Sequence, residues 1–100
     1  MAKGDVVSEI ASLAANAYLT YQPAAETETM ITGFTNSTVL SGVFDRLRVE
    51  FLDGTNITIF GDGTIAPNST FKIFVNNAHY MRTKANGEAR IQGYFGVQTK

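Results

Sequence analysis

Cysteine and tryptophan are absent from the 100 residues of this chain. Without cysteine there is no disulfide framework, no thiolate nucleophile and no cysteine-based zinc site. The absence favours folding in a reducing cytoplasm and is also compatible with an extracellular protein. No apolar run reaches the ~18 residues of a membrane span. The first residues carry one lysine and then an acid, with no apolar segment after them, so they do not resemble a signal peptide. The sequence therefore predicts no membrane partner.

Charge is also scarce. Charged residues make up 17% of the chain, and eight basic residues are balanced by nine acidic ones to a net charge of −1. Nucleic-acid binding normally needs a clustered basic surface, so no nucleic-acid partner is predicted. A surface with few charges fits a domain that contacts other proteins, since the cores of interfaces are depleted in charge. A threonine-rich β surface without a partner is the alternative interpretation.

Catalytic chemistry has little support in the sequence. The only histidine, His79, stands at the predicted start of a strand, and no serine-containing elbow accompanies it. The acidic residues lie mostly in turns or on polar faces, without the spacing of a calcium loop. The glycine-rich stretch at residues 61–63 is not followed by a helix, so it does not predict a phosphate loop. We therefore expect no enzyme activity, no cofactor and no metal site.

The chain has the length of one domain, residues 1–100, with residues 1–7 as a candidate extended N-terminal arm. Turn-forming residues recur about every 8–12 positions, a spacing typical of a β-sandwich or barrel. Residues 46–52 alternate, with Leu47, Val49 and Phe51 on one face, and Asp53-Gly54 then predicts a tight turn.

A hairpin is predicted near the end of the chain. Residues 79–84 and 89–95 lie on either side of Asn86-Gly87, a dipeptide that favours a type I′ turn. A two-residue turn there would place Arg82 opposite Ile91 in a pair of adjacent antiparallel strands.

Two interpretations remain open for residues 6–19. The spacing of Ile10, Leu13 and Ala17, among good helix formers, favours a helix that begins after Asp5. The competing interpretation is a pair of strands, at residues 6–13 and 18–22. In either case Pro23 ends the element, because proline cannot donate a hydrogen bond to a ladder.

Two blocks of sequence resemble small structural proteins of tailed bacteriophages. AANAYLTYQPAAETETMITGF, residues 14–34, is similar to a motif near the start of those proteins, where a strand ends at a proline step and a glutamate-containing strand follows. TFKIFVNNAHYMRTKANGEARIQGYFGVQTK, residues 70–100, is similar to their end, with an Asn-Gly turn and a final strand. Residues 36–67 show no such similarity. The resemblance favours strands over a helix in residues 6–19.

The resemblance implies a β-sandwich or jelly-roll module that decorates or cements capsids, often as a trimer, and it brings no catalytic residues. We therefore expect a non-enzymatic virion structural protein, most simply a capsid decoration or stabilising protein. Its partners would be itself, as a homotrimer or another closed oligomer, and the major capsid protein or another virion protein. It would fold in the host cytoplasm and reside in the virion. The alternative is a carbohydrate- or receptor-binding β-sandwich module.

The predicted fold is an all-β, antiparallel, jelly-roll-like sandwich of about seven or eight short strands. Its predicted core is Leu47, Val49, Phe51, Ile57, Ile59, Phe71, Ile73, Tyr80 and Ile91. Four aromatic residues are predicted to be exposed or to lie in an interface, namely Tyr18, Tyr21, Phe74 and Tyr94.

Overall fold

A computed structural model describes residues 3–38, 47–63 and 72–100. Eight β-strands lie in this part of the chain, and it contains no helix that could cross a membrane. The strands are β1 (Val6–Leu13), β2 (Tyr18–Tyr21), β3 (Glu28–Thr38), β4 (Leu47–Leu52), β5 (Ile57–Gly63), β6 (Ile73–Asn76), β7 (Tyr80–Lys84) and β8 (Arg90–Gln98).

The strands form two four-stranded antiparallel sheets, in the orders β1-β8-β3-β6 and β2-β7-β4-β5. Among the described strands only β4 and β5 are neighbours both in sequence and in one sheet, and every other connection passes from one sheet to the other. This arrangement confirms the predicted all-β, antiparallel sandwich.

Residues 6–19 form two strands, so the helix favoured by propensity is wrong. β1 pairs along its whole length with β8, from Val6 opposite Val97 to Leu13 opposite Arg90. Asn16 has a φ of 65°, and its N–H donates to the Ala85 carbonyl at 2.6 Å, which ends β1 and redirects the chain into β2. Long-range pairing therefore outweighs the local helical preference.

The predicted N-terminal arm, residues 1–7, includes part of β1. Val6 and Val7 belong to that strand, and the N–H of Gly4 donates to the Gln98 carbonyl at 2.6 Å. Residues 1 and 2 lie outside the described part. Residues 4–7 therefore fold back along β8 of the same chain.

The predicted C-terminal hairpin is wrong, because β7 and β8 lie in different sheets. Gly87 does adopt a positive φ, of 85°, but the chain uses this freedom to cross between sheets. The crossing is held by the Ala85 N–H, which donates to the Ala17 carbonyl at 2.9 Å, and by Arg90, whose Nη2 donates to the Asn86 carbonyl at 3.0 Å. The turn residues were identified correctly, while the strands that they connect do not pair with each other.

The predicted core is partly correct. Val49 and Ile73 are buried, Phe51 packs against the core, and Tyr80 is half-buried. Phe71 and the Leu47 side chain lie outside the described part. Three of the predicted core residues are instead exposed, namely Ile57, Ile59 and Ile91. The observed core consists of Val7, Leu19, Ile31, Phe34, Val49, Ile73, Val75, Met81 and Tyr94.

A register irregularity between Val49 and Glu50 explains two of these errors. Beyond it Glu50 lies opposite Ile59, and Leu52 lies opposite Ile57. Residues directly opposite each other in an antiparallel pair share one face of the sheet. Ile57 and Ile59 therefore lie on the outer side with Glu50, away from Val49.

Candidate interaction surface

The outer side of sheet β1-β8-β3-β6 is unusually apolar. Its first row runs across all four strands, because Val6 lies opposite Val97, Val97 opposite Met30, and Met30 opposite Phe74. All four side chains of this row are apolar. Alternation along the strands places the inward-facing residues, such as Val7 and Val75, in the core.

The rows that follow are uncharged as well. The second consists of Ser8, Phe95 and Gly33, the third of Ile10, Gly93 and Thr35, and the fourth of Ser12, Ile91 and Ser37. We call the outward side chains of these four rows the uncharged face. Charge begins at its margins, with Glu28 one row beyond Met30 and Lys72 beside β6.

Five side chains of the uncharged face are large, apolar and exposed. Their exposed fractions are 73% for Val6, 77% for Ile10, 54% for Phe74, 46% for Phe95 and 38% for Ile91. Together they present on the order of 500 Å² of apolar surface, near the upper end of what a soluble monomer displays in one patch. Such a patch is typical of a protein contact surface.

Two glycines allow side chains to pack closely on the uncharged face. The ring of Phe95 lies directly over Gly33, where a Cβ atom would overlap the ring. At Gly93 an added Cβ would meet the Glu9 carbonyl oxygen at 2.7 Å and Thr35 Oγ1 at 2.8 Å. Phe95 can lie flat because Gly33 has no side chain, and Thr35 and Ile10 can close over Gly93 because it has none either.

The uncharged face exists because the pattern of β8 is inverted. Its polar residues Arg90 and Gln92 are buried, while Ile91 and Phe95 point outward. The Gln92 amide donates to Asn36 Oδ1 at 3.0 Å and to the Lys84 carbonyl at 2.8 Å, so this end of the interior is polar. Sequence reasoning assigned Ile91 to the core on the assumption that apolar residues face inward. The available signal was the alternation of Val6, Ser8, Ile10 and Ser12, which places two exposed aliphatic residues on one side of an edge strand.

The outer side of the other sheet carries charged groups on β4 and β7, which bind one another, and the exposed Ile57 and Ile59 on β5. Glu50 Oε2 accepts from Arg48 Nε at 2.8 Å, and Glu50 Oε1 accepts from Arg82 Nε at 2.6 Å. Burial alone would raise the pKa of Glu50, but the hydrogen bonds from Arg82 and Arg48 outweigh it and hold that pKa below its usual value. Tyr18 and Lys84 lie beside this group. We call Arg48, Glu50, Arg82, Lys84 and Tyr18 the charged face.

The β4–β5 turn adjoins the charged face at the end of its sheet. Gly54 has a φ of 91°, and Asp53 Oδ1 accepts from the N–H groups of Asn56 at 2.6 Å and of Thr55 at 2.9 Å. These backbone donors lower the pKa of Asp53 to about 2. The turn predicted from Asp53-Gly54 is present, and its aspartate is structural.

The four predicted interface aromatics lie in different places. Phe74 belongs to the uncharged face, and Tyr18 lies on the charged face with the Arg82 guanidinium 3.8 Å from its ring centroid. Tyr21 is half-buried, and its hydroxyl is 2.7 Å from that of Thr29. Tyr94 is a core residue at 4% exposure, so its predicted exposure is wrong. The structure does not bring the four together into one surface.

The buried hydroxyl of Tyr94 has a defined partner. It donates to Glu9 Oε1 at 2.9 Å. The pKa of Tyr94 lies well above the usual tyrosine value, chiefly because the hydroxyl is buried and also because it donates to the Glu9 carboxylate. Tyr94 therefore acts as a neutral donor inside the sandwich.

His79 borders a polar cleft of about 380 Å³ between the β2–β3 and β6–β7 loops. Its ring stacks on Phe51, with centroids 6.3 Å apart. Asn76 Oδ1 in the same cleft accepts from the N–H groups of Ala78 at 3.0 Å and His79 at 2.8 Å, so it shapes the loop. Within residues 3–38, 47–63 and 72–100, no group of three or more histidine and acidic side chains is placed to hold a metal ion.

No protein-family model matches the sequence, and neither does any curated protein. Two solved structures, both described as pentameric capsid proteins isolated from metagenomic phage sequences, share 16% identity with this chain. They superpose with TM-scores of 0.48 and 0.49 over 92% of the chain, which spans 61% and 59% of their lengths.

Proposed function

We propose that this chain is a structural component of a bacteriophage particle, a capsid decoration or stabilising protein without enzymatic activity. The observation that carries the proposal is the uncharged face, whose exposed apolar side chains suit contact with protein. The tailed-phage resemblance of residues 14–34 and 70–100 supplies the phage assignment.

The strand order supports the same proposal. Orders β1-β8-β3-β6 and β2-β7-β4-β5 fit a jelly roll of eight strands in two sheets, an architecture that viral capsid domains and lectins share. Assignment to the jelly rolls proper is part of the proposal and is an argument from fold analogy. The two phage capsid proteins described above resemble this chain too slightly to add support.

We propose that the chain forms a closed homo-oligomer, for example a homotrimer. This oligomer binds a lattice of the major capsid protein or of another virion protein. A domain of this size hides its apolar surface incompletely, and the uncharged face is the visible consequence. Because few charges are available, its attachment to the lattice should depend weakly on salt.

The test is quantitative mass spectrometry of purified phage particles whose genome encodes the chain. We expect the protein in many copies per particle, in a fixed ratio to the major capsid protein, and retained through a wash in high salt. Particles that lack the protein should lose their DNA at a lower temperature. Its absence from purified particles, with presence in the lysate, would contradict the proposal.

Carbohydrate or receptor binding is the second candidate function, and the cleft beside His79 is the feature that favours it. Its lining includes Glu26, Asn77 and His79, which are groups that can bind hydroxyls. Asn77, however, donates its side-chain amide to the Pro23 carbonyl at 3.0 Å. Binding on a glycan array that a Glu26→Ala change abolishes would favour this function over a purely structural one.

A further inference from the structure

We propose that the uncharged face packs against the same face of a second copy of this chain, about a two-fold axis. This inference rests on the self-association in the proposed function, but not on membership of a phage particle. It limits the closed oligomer to an even number of copies, because each copy then has one partner across this face.

The size of the face suits a protein partner. Three strands about 4.8 Å apart and about nine residues long give a face of roughly 14 by 30 Å, and Phe74 of the four-residue strand β6 extends it at one end. With its side chains included, the accessible area approaches the ~600 Å² that each partner contributes to the smaller stable interfaces. A face of this size could bury Val6, Ile10, Phe74, Phe95 and Ile91 together.

The charge pattern favours a second copy that presents the same face over one that presents its charged face. Placing the uncharged face on the charged face would bury Arg48, Arg82 and Lys84 against apolar side chains, at a large cost in desolvation. In a two-fold interface a charged residue near the axis would meet its own like charge. The four rows avoid this, because they contain no charged side chain.

The close packing of the face is compatible with such a contact. Two β-sheets pack face to face about 10 Å apart with strands about 30° from alignment, and their side chains interdigitate. Phe95 lies flat over Gly33, and Thr35 and Ile10 close over Gly93, so the middle of the face is closely packed. A closely packed face of this kind can lie against the same face of a second copy.

The experiment measures the mass of the purified full chain in solution by light scattering after size exclusion, at micromolar concentration. The wild type is expected at an even multiple of the 10.8 kDa chain mass. Ile10→Lys and Phe74→Lys, on the two outer strands of the face, should each weaken the association at least ten-fold. The matched control is Ile57→Lys, which places the same charge on a similarly exposed isoleucine of the other sheet and should leave the mass unchanged.

Circular dichroism and thermal unfolding identify variants that fail to fold. Because the two substitutions lie on separate strands, the second can still be tested if the first prevents folding. An unchanged mass in both folded variants would overturn the proposal, and so would dissociation of the wild type by salt. A wild-type trimer would overturn the two-fold pairing but would agree with the proposed closed oligomer. A monomer would overturn both the pairing and the closed oligomer. Whether the chain is found in phage particles is decided separately, by mass spectrometry of the particles.

Discussion

The outer faces of the two sheets differ in how much of their surface is satisfied by contacts within the chain. On the charged face Glu50, at 2% exposure, is held between Arg48 and Arg82, and Tyr18 covers the Arg82 guanidinium. On the uncharged face, Val6 and Ile10 remain more than 70% exposed. One sheet satisfies its charged outer side chains within the chain, although Ile57 and Ile59 of β5 are exposed beside them. Among the described residues, the other sheet has no such charged group and presents apolar surface on all four of its strands.

The difference shows where the chain needs a partner. Burying the charged face would require desolvation of groups that already bind each other, for little gain. Burying the uncharged face would gain about 25 cal/mol for each Å² removed from water. The asymmetry between the two faces, more than any single residue, identifies the interaction surface.

The largest expected effect comes from removing Glu50. A Glu50→Ala change would leave Arg48 and Arg82 without their shared carboxylate on a partly buried surface. Breaking such a group is expected to lower the free energy of unfolding by about 2–3 kcal/mol, less than for a deeply buried pair because water reaches both arginines. Urea denaturation followed by circular dichroism measures this change.

The control is Glu88→Ala. Glu88 is about half exposed and lies 3.6 Å from Arg90 Nη2, so its loss should change the free energy of unfolding by less than about 1 kcal/mol. Equal losses in the two variants would contradict the stabilising role of the hydrogen bonds from Arg48 and Arg82 to Glu50.

The next effect concerns the uncharged face. A Gly33→Ala change would force the Phe95 ring away from its place over the glycine, at an expected cost of about 1–2 kcal/mol. The cost should be modest for so close a contact, since the displaced group is the outer end of a side chain. Thermal unfolding of Gly33→Ala, Phe95→Val and the double variant measures it. The double variant should lose less than the sum of the single changes, and strict additivity would contradict this contact.

The sequence predicted the architecture well and the pairing of its strands less well. Turn residues such as Asp53, Gly54 and Gly87 act locally, so their positions could be recognised. Whether the chain returns beside its previous strand at Gly87 or crosses to the other sheet depends on contacts with Ala17, seventy residues away. No local pattern records that choice.

The interaction surface could be predicted only in part. Phe74 was correctly identified as exposed, because its neighbours Ile73 and Val75 alternate with it in a buried pattern. Ile91 was misplaced because the buried Gln92 binds Asn36 from another strand, which reverses the expected orientation of β8. A register irregularity likewise moved Ile57 and Ile59 outward, and alternation cannot reveal it.

Acid should weaken the contacts of the charged face and of the adjoining β4–β5 turn, and it should leave the pairing through the uncharged face unchanged. The pKa values of Glu50 and Asp53 are lower in the folded chain than their ordinary values near ~4, so both carboxylates stabilise the fold above that pH. This contribution is lost as the pH falls through the folded values, which for Asp53 is about 2. The free energy of unfolding should therefore decline from about pH 5 downward.

Denaturation in urea at several pH values measures that decline, and Asp53→Asn should make it shallower because one titrating group is gone. The mass of the paired protein should stay constant between about pH 7 and pH 5, while the fold is intact, because the four rows of the uncharged face contain no titratable side chain. Dissociation in that range would indicate that charged residues take part in the pairing.

The smallest expected effect tests whether Tyr18 completes the charged face through its ring. The Arg82 guanidinium lies 3.8 Å from the ring centroid, and Lys84 Nζ lies at 5.7 Å. A Tyr18→Leu change keeps an apolar side chain but removes the π system, so the free energy of unfolding should fall by about 0.5–1 kcal/mol. Tyr18→Phe keeps the ring and should match the wild type within about 0.5 kcal/mol. If the ring matters because it lies over Arg82, the loss in Tyr18→Leu should shrink when Arg82 is replaced by methionine. A loss that persists unchanged would place the role of Tyr18 in simple apolar packing, and the charged face would then be complete with Glu50 and its two arginines alone.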